Sequence, residues 1–301
     1  MSVKSLIFVL SLSVVFFSFT ACSDDPTTVI NDGPTILDVV GGDNNFSILV
    51  NAVGSTELET TLSGSGPFTL FAPTNDAFEA LPEGLFESLT TDELRDILLY
   101  HLLGAEVAAG ALQPVQTVPT ISTGNIFITS VGSGVTINGN SSVTTADLFA
   151  SNGVIHAIDQ VLIPDALGTI TENAQKRYFL TELVNALIAT DLIGTVSNPN
   201  SQLTVFAPNN DAFEAFAVIA ADLTTEELAD ILLYHVIDTR LLSGNLQEQQ
   251  TVTTLNGQEI TINVQSGIVS VNGQATVTSV DNDGINGVIH VINNVLIPPS
   301  E

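Results

Sequence analysis

Apolar positions along this chain recur with two periods, and the period changes at the same relative place twice. Phe46, Leu49, Val50 and Val53 fall at i, i+3, i+4 and i+7, the spacing that puts four side chains on one face of a helix, and Leu180, Leu183, Val184 and Leu187 repeat it. Short β-prone runs follow at Phe68 to Phe71 and Leu203 to Phe206, each ended by Ala-Pro, where proline removes a ladder donor. Asn75 and Asn210 then stand where a cap for a further short helix is expected. Thr90-Thr91-Asp92-Glu93 and Thr224-Thr225-Glu226-Glu227 have the form of a capping box, in which threonine and glutamate satisfy each other's exposed amides. The helices they open place Leu94, Ile97, Leu98 and His101, or Leu228, Ile231, Leu232 and His235, on one stripe. Beyond about Thr117 the period becomes two: strands are expected at 126–129, 135–138, 143–145 and 154–158, then at 251–255, 259–264, 268–271, 275–280 and 288–292. Turns such as Asn256-Gly257 and Asn272-Gly273 join them as antiparallel hairpins. Helices first and strands later is an α+β arrangement.

The pattern repeats because the sequence does. Asn152-Gly153-Val154-Ile155-His156 returns as Asn286-Gly287-Val288-Ile289-His290, and Tyr100-His101 returns as Tyr234-His235, both at an offset of 134. Phe71-Ala72-Pro73 returns as Phe206-Ala207-Pro208 at an offset of 135, so one residue is gained before that motif and lost after it. Two tandem domains are expected, at 35–164 and 169–298, each of the size of an independent folding unit. The linker from Asp165 to Gly168 is short enough for a semi-rigid rod.

The first residues follow a different logic. Lys4 precedes an apolar run from Leu6 to Phe19, and small residues lead to Cys22, the only cysteine of the chain. Residues 1–21 read as a signal peptide, too short for a comfortable membrane span. The cysteine at its end resembles the lipobox of bacterial lipoproteins, with Phe19 where that pattern prefers leucine; the resemblance implies lipidation of Cys22. Residues 22–34 lack apolar periodicity and are expected to be a flexible tether. Their Ser23-Asp24-Asp25 start resembles the acidic tag that sends some lipoproteins to the outer face of the outer membrane.

Charge narrows the partners. The chain carries 33 acidic and 5 basic residues, a net charge of −28, with 18 acids up to Asp165 and 15 beyond it. A field of that sign, spread over both domains, repels phosphate backbones, so nucleic acid is excluded as a partner. At 45% hydrophobic and 13% charged residues, the chain can fill two cores.

Thr69-Leu70-Phe71-Ala72-Pro73-Thr74-Asn75-Asp76-Ala77-Phe78, the pair Tyr100-His101, and Asn152 to Asp159 with Leu162-Ile163-Pro164 resemble the two conserved blocks and central Tyr-His pair of the fasciclin (FAS1) domain, and all three return in order in the second copy. The resemblance implies an antiparallel β-wedge flanked by helices in each domain and a place in secreted or anchored adhesion proteins. In animal members the Tyr-His neighbourhood and an Asp-Ile pair before the second block are linked to integrin binding. That makes Tyr100, His101, Asp147, Leu148, Tyr234 and His235 the candidate binding surface, with Asp281-Asn282 departing from the Asp-Ile pair. The same tyrosines and histidines fit equally as packing residues.

Chemistry has little else to stand on. All four histidines belong to the repeat, 55 residues apart in each copy, and two imidazoles without a third ligand fall short of a zinc site. Asp281-Asn282-Asp283-Gly284 gathers oxygens, yet the glycine comes too early for an EF-hand and Ile292 stands at position twelve. No Gly-x-Ser-x-Gly elbow, His-Glu-x-x-His or phosphate-binding glycine loop occurs. No catalytic residue, metal or cofactor is therefore expected. The sequence points to a lipid-anchored, extracytoplasmic adhesion protein engaging an extracellular protein or glycan. An envelope-structural or self-assembling module is the alternative, and a small-molecule or hydrolytic function would require a deep polar pocket around the histidines.

Overall fold

The computed structural model describes residues 33–132 and 134–299; the expected signal peptide, Cys22 and the expected tether as far as Asp32 lie outside them. Each copy opens with a helix nucleated by its own cap. Thr35 and Asp38 form a capping box on Ile36–Gly41, and Thr169 and Glu172 form the same box on Ile170–Lys176. The boxes expected at Thr90 and Thr224 are present and start helices Thr91–Tyr100 and Thr225–Leu233. One cap is displaced from its expected position. Thr74 and Asn209 are the N-caps of helices Asn75–Glu79 and Asn210–Ala220, while Asn75 and Asn210 reach across to the neighbouring helix. The Asn75 amide oxygen accepts from the Ile48 amide at 3.0 Å and its nitrogen donates to the Asn44 carbonyl at 2.9 Å.

The first sheet contains β1 (Phe68–Pro73), β2 (Leu102–Leu103), β3 (Val115–Pro119), β4 (Asn125–Val131), β5 (Gly134–Ile137), β6 (Ser141–Ala150) and β7 (Gly153–Ile158), in the spatial order β2-β1-β7-β6-β5-β4-β3. The second contains β8 (Leu203–Pro208), β9 (Val236–Ile237), β10 (Gln249–Thr253), β11 (Glu259–Gln265), β12 (Ile268–Val271), β13 (Ala275–Gly284) and β14 (Gly287–Ile292), in the matching order. Each is the expected antiparallel wedge with additions: β1 pairs in parallel with β7 and β8 with β14, and β2, β3 and β9 are strands outside the expected runs. The helices between β1 and β2 return the chain so that the first and last major strands lie side by side in the middle of the sheet.

Those central strands are buried on both faces, which is why they read as continuous apolar runs. Leu70, Ala72, Ile155 and Ala157 pack under the helices, whereas Phe71, Ile158, Tyr100 and Ile126 fill the opposite side of the sheet. The second domain divides its core in the same way. No helix among the described residues is long and apolar enough to cross a membrane.

Candidate functional site

The repeated Asn-Gly-Val-Ile-His block is a joint. The Asn152 side chain accepts from the Ile36 amide at 2.8 Å and donates to the carbonyls of Leu62 and Gly64 at 2.8 and 2.7 Å, tying the first helix and the strand entry to the last hairpin. Asn286 makes the equivalent three bonds to Ile170, Val196 and Asn198. Gly153 follows because a Cβ there would lie 2.1 Å from the Phe68 carbonyl oxygen, and one on Gly287 would lie 2.2 Å from that of Leu203. No side chain fits.

All four histidines are spent on backbone. The Leu162 amide donates to His101 Nε2 at 2.9 Å, so the ring proton is on Nδ1, which donates to the Ile97 carbonyl at 2.7 Å. His235 does the same with Leu296 and Ile231 at 2.8 and 2.7 Å. The other pair uses the opposite tautomer: the Asp147 amide donates to His156 Nδ1 at 3.2 Å, and Nε2–H donates to the Val107 carbonyl at 2.9 Å. His290 repeats this with Asp281 and Leu241. Burial pushes His101 and His235 down to about 4, outweighing the upward pull of their carbonyl acceptors. It also lowers His290. His101 and His235 are thus neutral at pH 7, and a metal or substrate could use any of the four rings only by breaking the joint. His235 borders a cavity of about 20 Å³ that is otherwise almost wholly apolar, not a deep polar pocket.

The tyrosines are likewise internal. Tyr100 is fully buried; its hydroxyl donates to the Asn125 carbonyl at 2.6 Å and accepts from the Asn138 amide at 3.2 Å. Burial holds that phenol well above its ordinary value. Tyr234 bonds to Glu259 and Asn272 in the same way. The candidate surface at Tyr100, His101, Tyr234 and His235 is thus interior, because these residues close a helix onto the wedge with both polar ends satisfied.

Asp147 and Leu148 lie on the long strand where its register shifts. Asp147 takes a left-handed conformation at φ 58°, sends its amide to His156 and accepts from the Ala109 amide at 2.9 Å, while Leu148 packs on the core. Asp281 repeats both roles, with Ser243 in place of Ala109, so the departure at Asn282 does not disturb the bulge. Asp283 pairs with Arg240 at 2.7 Å. Of the oxygens that resembled a calcium loop, those of Asp281 accept from Ser243 and that of Asn282 from Arg177.

What sequence reasoning missed lies between the domains. Lys176 and Arg177, two of the five basic residues, are buried there and share Asp165. Lys176 Nζ lies 3.0 Å from the carboxylate and 2.7 Å from the Asn173 side-chain oxygen; burial lowers its pKa and Asp165 opposes the shift. The Arg177 guanidinium bonds Asp165 and sits 5.0 Å over the Phe127 ring of the first domain. Phe127 also meets Tyr178 and Phe179 edge-on at 6.4 and 5.8 Å. The other copy carries none of these groups: Thr261 matches Phe127, and Gly42-Asp43-Asn44-Asn45 matches Lys176-Arg177-Tyr178-Phe179. Gly139 is pressed against the junction, where a Cβ would lie 2.7 Å from the Gln175 carbonyl, whereas its counterpart Gly273 faces open space. Beside this contact lies a cleft of about 610 Å³, walled by Pro82 and Leu85 on one side and by Glu172 and Asn185 on the other.

The family model described as the fasciclin domain matches residues 44–164 and 179–298. The transforming growth factor-beta-induced protein ig-h3 of Oryctolagus cuniculus is 32% identical over 276 residues, covering 91% of this chain and 39% of the relative. Human periostin is 29% identical over 88% of this chain and 31% of its own length, so the chain spans well under half of these curated relatives. The structure of a FAS1 domain pair from the insect cell adhesion molecule fasciclin I superposes with a TM-score of 0.56 at 18% identity, over 87% of this chain and 96% of that one.

Proposed function

The chain belongs to the fasciclin domain family, and from that premise we propose that it is a non-catalytic binding protein of the cell envelope, anchored through a lipid on Cys22 and engaging cell-surface, matrix or polysaccharide partners. One observation carries the reading: every repeated histidine, the residue type best suited to acid/base or metal chemistry, is bonded to the backbone of its own domain. What remains to differ between the copies is displayed surface. The structurally similar domain pair belongs to a cell adhesion molecule, which agrees with that role. The apolar run before Cys22 and the polar stretch after it fit export and a tether, with domains occupying 35–164 and 169–298.

The two domains act as one body because Asp165, Lys176, Arg177 and Phe127 close the junction between them. The free ends do not offer the same contact. Thr261 and Pro299 stand where the junction has Phe127 and Asp165, and Asp43 and Asn44 where it has Arg177 and Tyr178. Head-to-tail assembly by repeating the junction is therefore disfavoured, which weighs against a self-assembling envelope module.

A binding screen tests the proposal. The mature chain, residues 22–301, is presented to envelope proteins, matrix proteins and glycans, with sedimentation in parallel. Saturable binding to a foreign partner is expected; concentration-dependent self-association without such binding would replace this reading with the structural one.

A further inference from the structure

The second domain carries a largely apolar groove. It runs between the helices Thr181–Ala189 and Asn210–Ala220 and encloses about 650 Å³. Its floor is made of small residues, Ala186, Ala189, Ala217 and Ala220, and Phe213 adds an aromatic wall. On the same helices Ile188 is 60% exposed and Val218 is 83% exposed, with Ile219 half exposed. They lie outside the groove lining on the same two helices, and large aliphatic side chains left in water there add to the apolar surface around it.

Duplication supplies an internal control. At the matching positions the first domain has Gly54 for Ile188, Glu83 for Val218 and Gly84 for Ile219. Its corresponding helix stops after five residues at Glu79, whereas the second continues for eleven to Ala220. The fold does not require these apolar residues, because the first copy folds without them.

Charge selects the occupant. Glu182, Asp211 and Glu214 line the groove, and no basic residue does. A second copy of this chain would bring the same acids to the same place. Nor can the chain supply a basic segment of its own: Lys176 and Arg177 are buried at the junction, Arg240 is paired with Asp283, Arg95 donates to the Thr56 carbonyl, and Lys4 lies in the signal peptide.

Resting on the binding role proposed above, we infer that this groove receives an amphipathic helix of a foreign protein, with an aliphatic ridge seated on the alanine floor and lysines or arginines against the acidic rim. A floor of alanines lets a helix ridge approach closely, and apolar anchors at i, i+3, i+4 and i+7 are the pattern such grooves read. The eleven-residue helix is about 16 Å long, at roughly 1.5 Å per residue, so the contact takes about three turns of the partner.

The test uses the mature chain and a labelled 14-residue helical peptide with leucines on one face and lysines on the other. Controls are a scrambled peptide of the same composition and a leucine/glutamate version, and anisotropy is read at 0.15 M salt. The leucine/lysine helix is expected to bind saturably and the scrambled peptide at least about tenfold more weakly, the loss expected when apolar anchors no longer share a face. Ala189→Gln with Ala217→Gln, which fill the groove from its two helices, and Glu182→Gln with Glu214→Gln should each weaken the helix by a similar factor. Equal binding of the scrambled peptide would reduce the effect to bulk charge, and equal or tighter binding of the leucine/glutamate helix would overturn the charge argument. Unchanged binding in either double variant would place the peptide elsewhere. Self-association abolished by Ala189→Gln with Ala217→Gln would give the groove to a second copy. Failure of the peptide while the chain still binds a cell-surface partner removes the groove alone; groove binding with no such partner removes the adhesion role alone.

Discussion

Acidifying this protein from pH 7.5 to 5 should destabilise it through its buried histidines before its carboxylates take part. His101 and His235 are held down at about 4 by burial, against an ordinary value near 6.5. Between those values the unfolded chain binds the proton and the folded chain does not, so stability is fully present above pH 6.5 and falls as pH drops toward 4. The linkage gives about 2 kcal/mol per histidine at pH 5 and at most about 3.4 kcal/mol below both values. For domains of this size that corresponds to a fall in melting temperature of roughly 6–10 °C at pH 5. His290 adds to the loss in the second domain, because burial lowers it too. Asp38, Glu93 and Glu227 are lowered by their capping threonines, and their contribution is lost only in more acidic solution, so the window above pH 5 belongs to the histidines. Calorimetry on the wild type and on His101→Gln reads the effect. The variant should be less stable at pH 7.5 by roughly 2–4 kcal/mol, since the Leu162 amide and Ile97 carbonyl lose their partner, and that deficit should shrink by about 2 kcal/mol at pH 5. Parallel curves for the two proteins across the window would refute the reasoning.

Three further outcomes follow from the same geometry. Gly153→Ala should destabilise the first domain by about 3 kcal/mol in urea titration, because its new methyl group has only the Phe68 carbonyl to meet, whereas Gly132→Ala, with open space around it, should pay only the modest cost of its left-handed backbone. Asp165→Ala should leave Lys176 and Arg177 buried without their carboxylate, cost about 3–5 kcal/mol, and broaden the interdomain distances seen by small-angle scattering; a narrow, unchanged distribution would show that the junction does not depend on that cluster. Cys22→Ser should move the protein from the membrane fraction to the soluble fraction and abolish a lipid-sized mass addition to the mature N-terminus.

Local rules carried the sequence far where the physics was local. The threonine caps at 90 and 224 and the hairpin strands follow from spacing over a few residues. The parallel pairing of Phe68–Pro73 with Gly153–Ile158 was not legible, because it joins segments 85 residues apart and leaves no period in either. Tyr100 and His101 drew attention as chemistry-bearing residues, but their partners are backbone groups of Asn125, Ile97 and Leu162, whose identity no motif records. Lys176-Arg177 carries no motif, and only the fold shows that it is enclosed. A signal did exist: the basic and aromatic run at 176–179 and Phe127 have no counterparts in the other copy, and divergence between duplicates marks where each one meets something new.

The central claim is that this chain binds and does not catalyse, and attachment of the cells that carry it tests this most directly. Cells lacking the chain are compared with cells restored by the wild type, by His156→Ala or by Cys22→Ser, on surfaces coated with the partner from the binding screen. The account predicts that the wild type restores attachment, that Cys22→Ser does not, and that His156→Ala loses attachment only to the extent that it loses folded protein. Undiminished attachment without the chain, or full loss with His156→Ala at wild-type levels of folded protein, would contradict it.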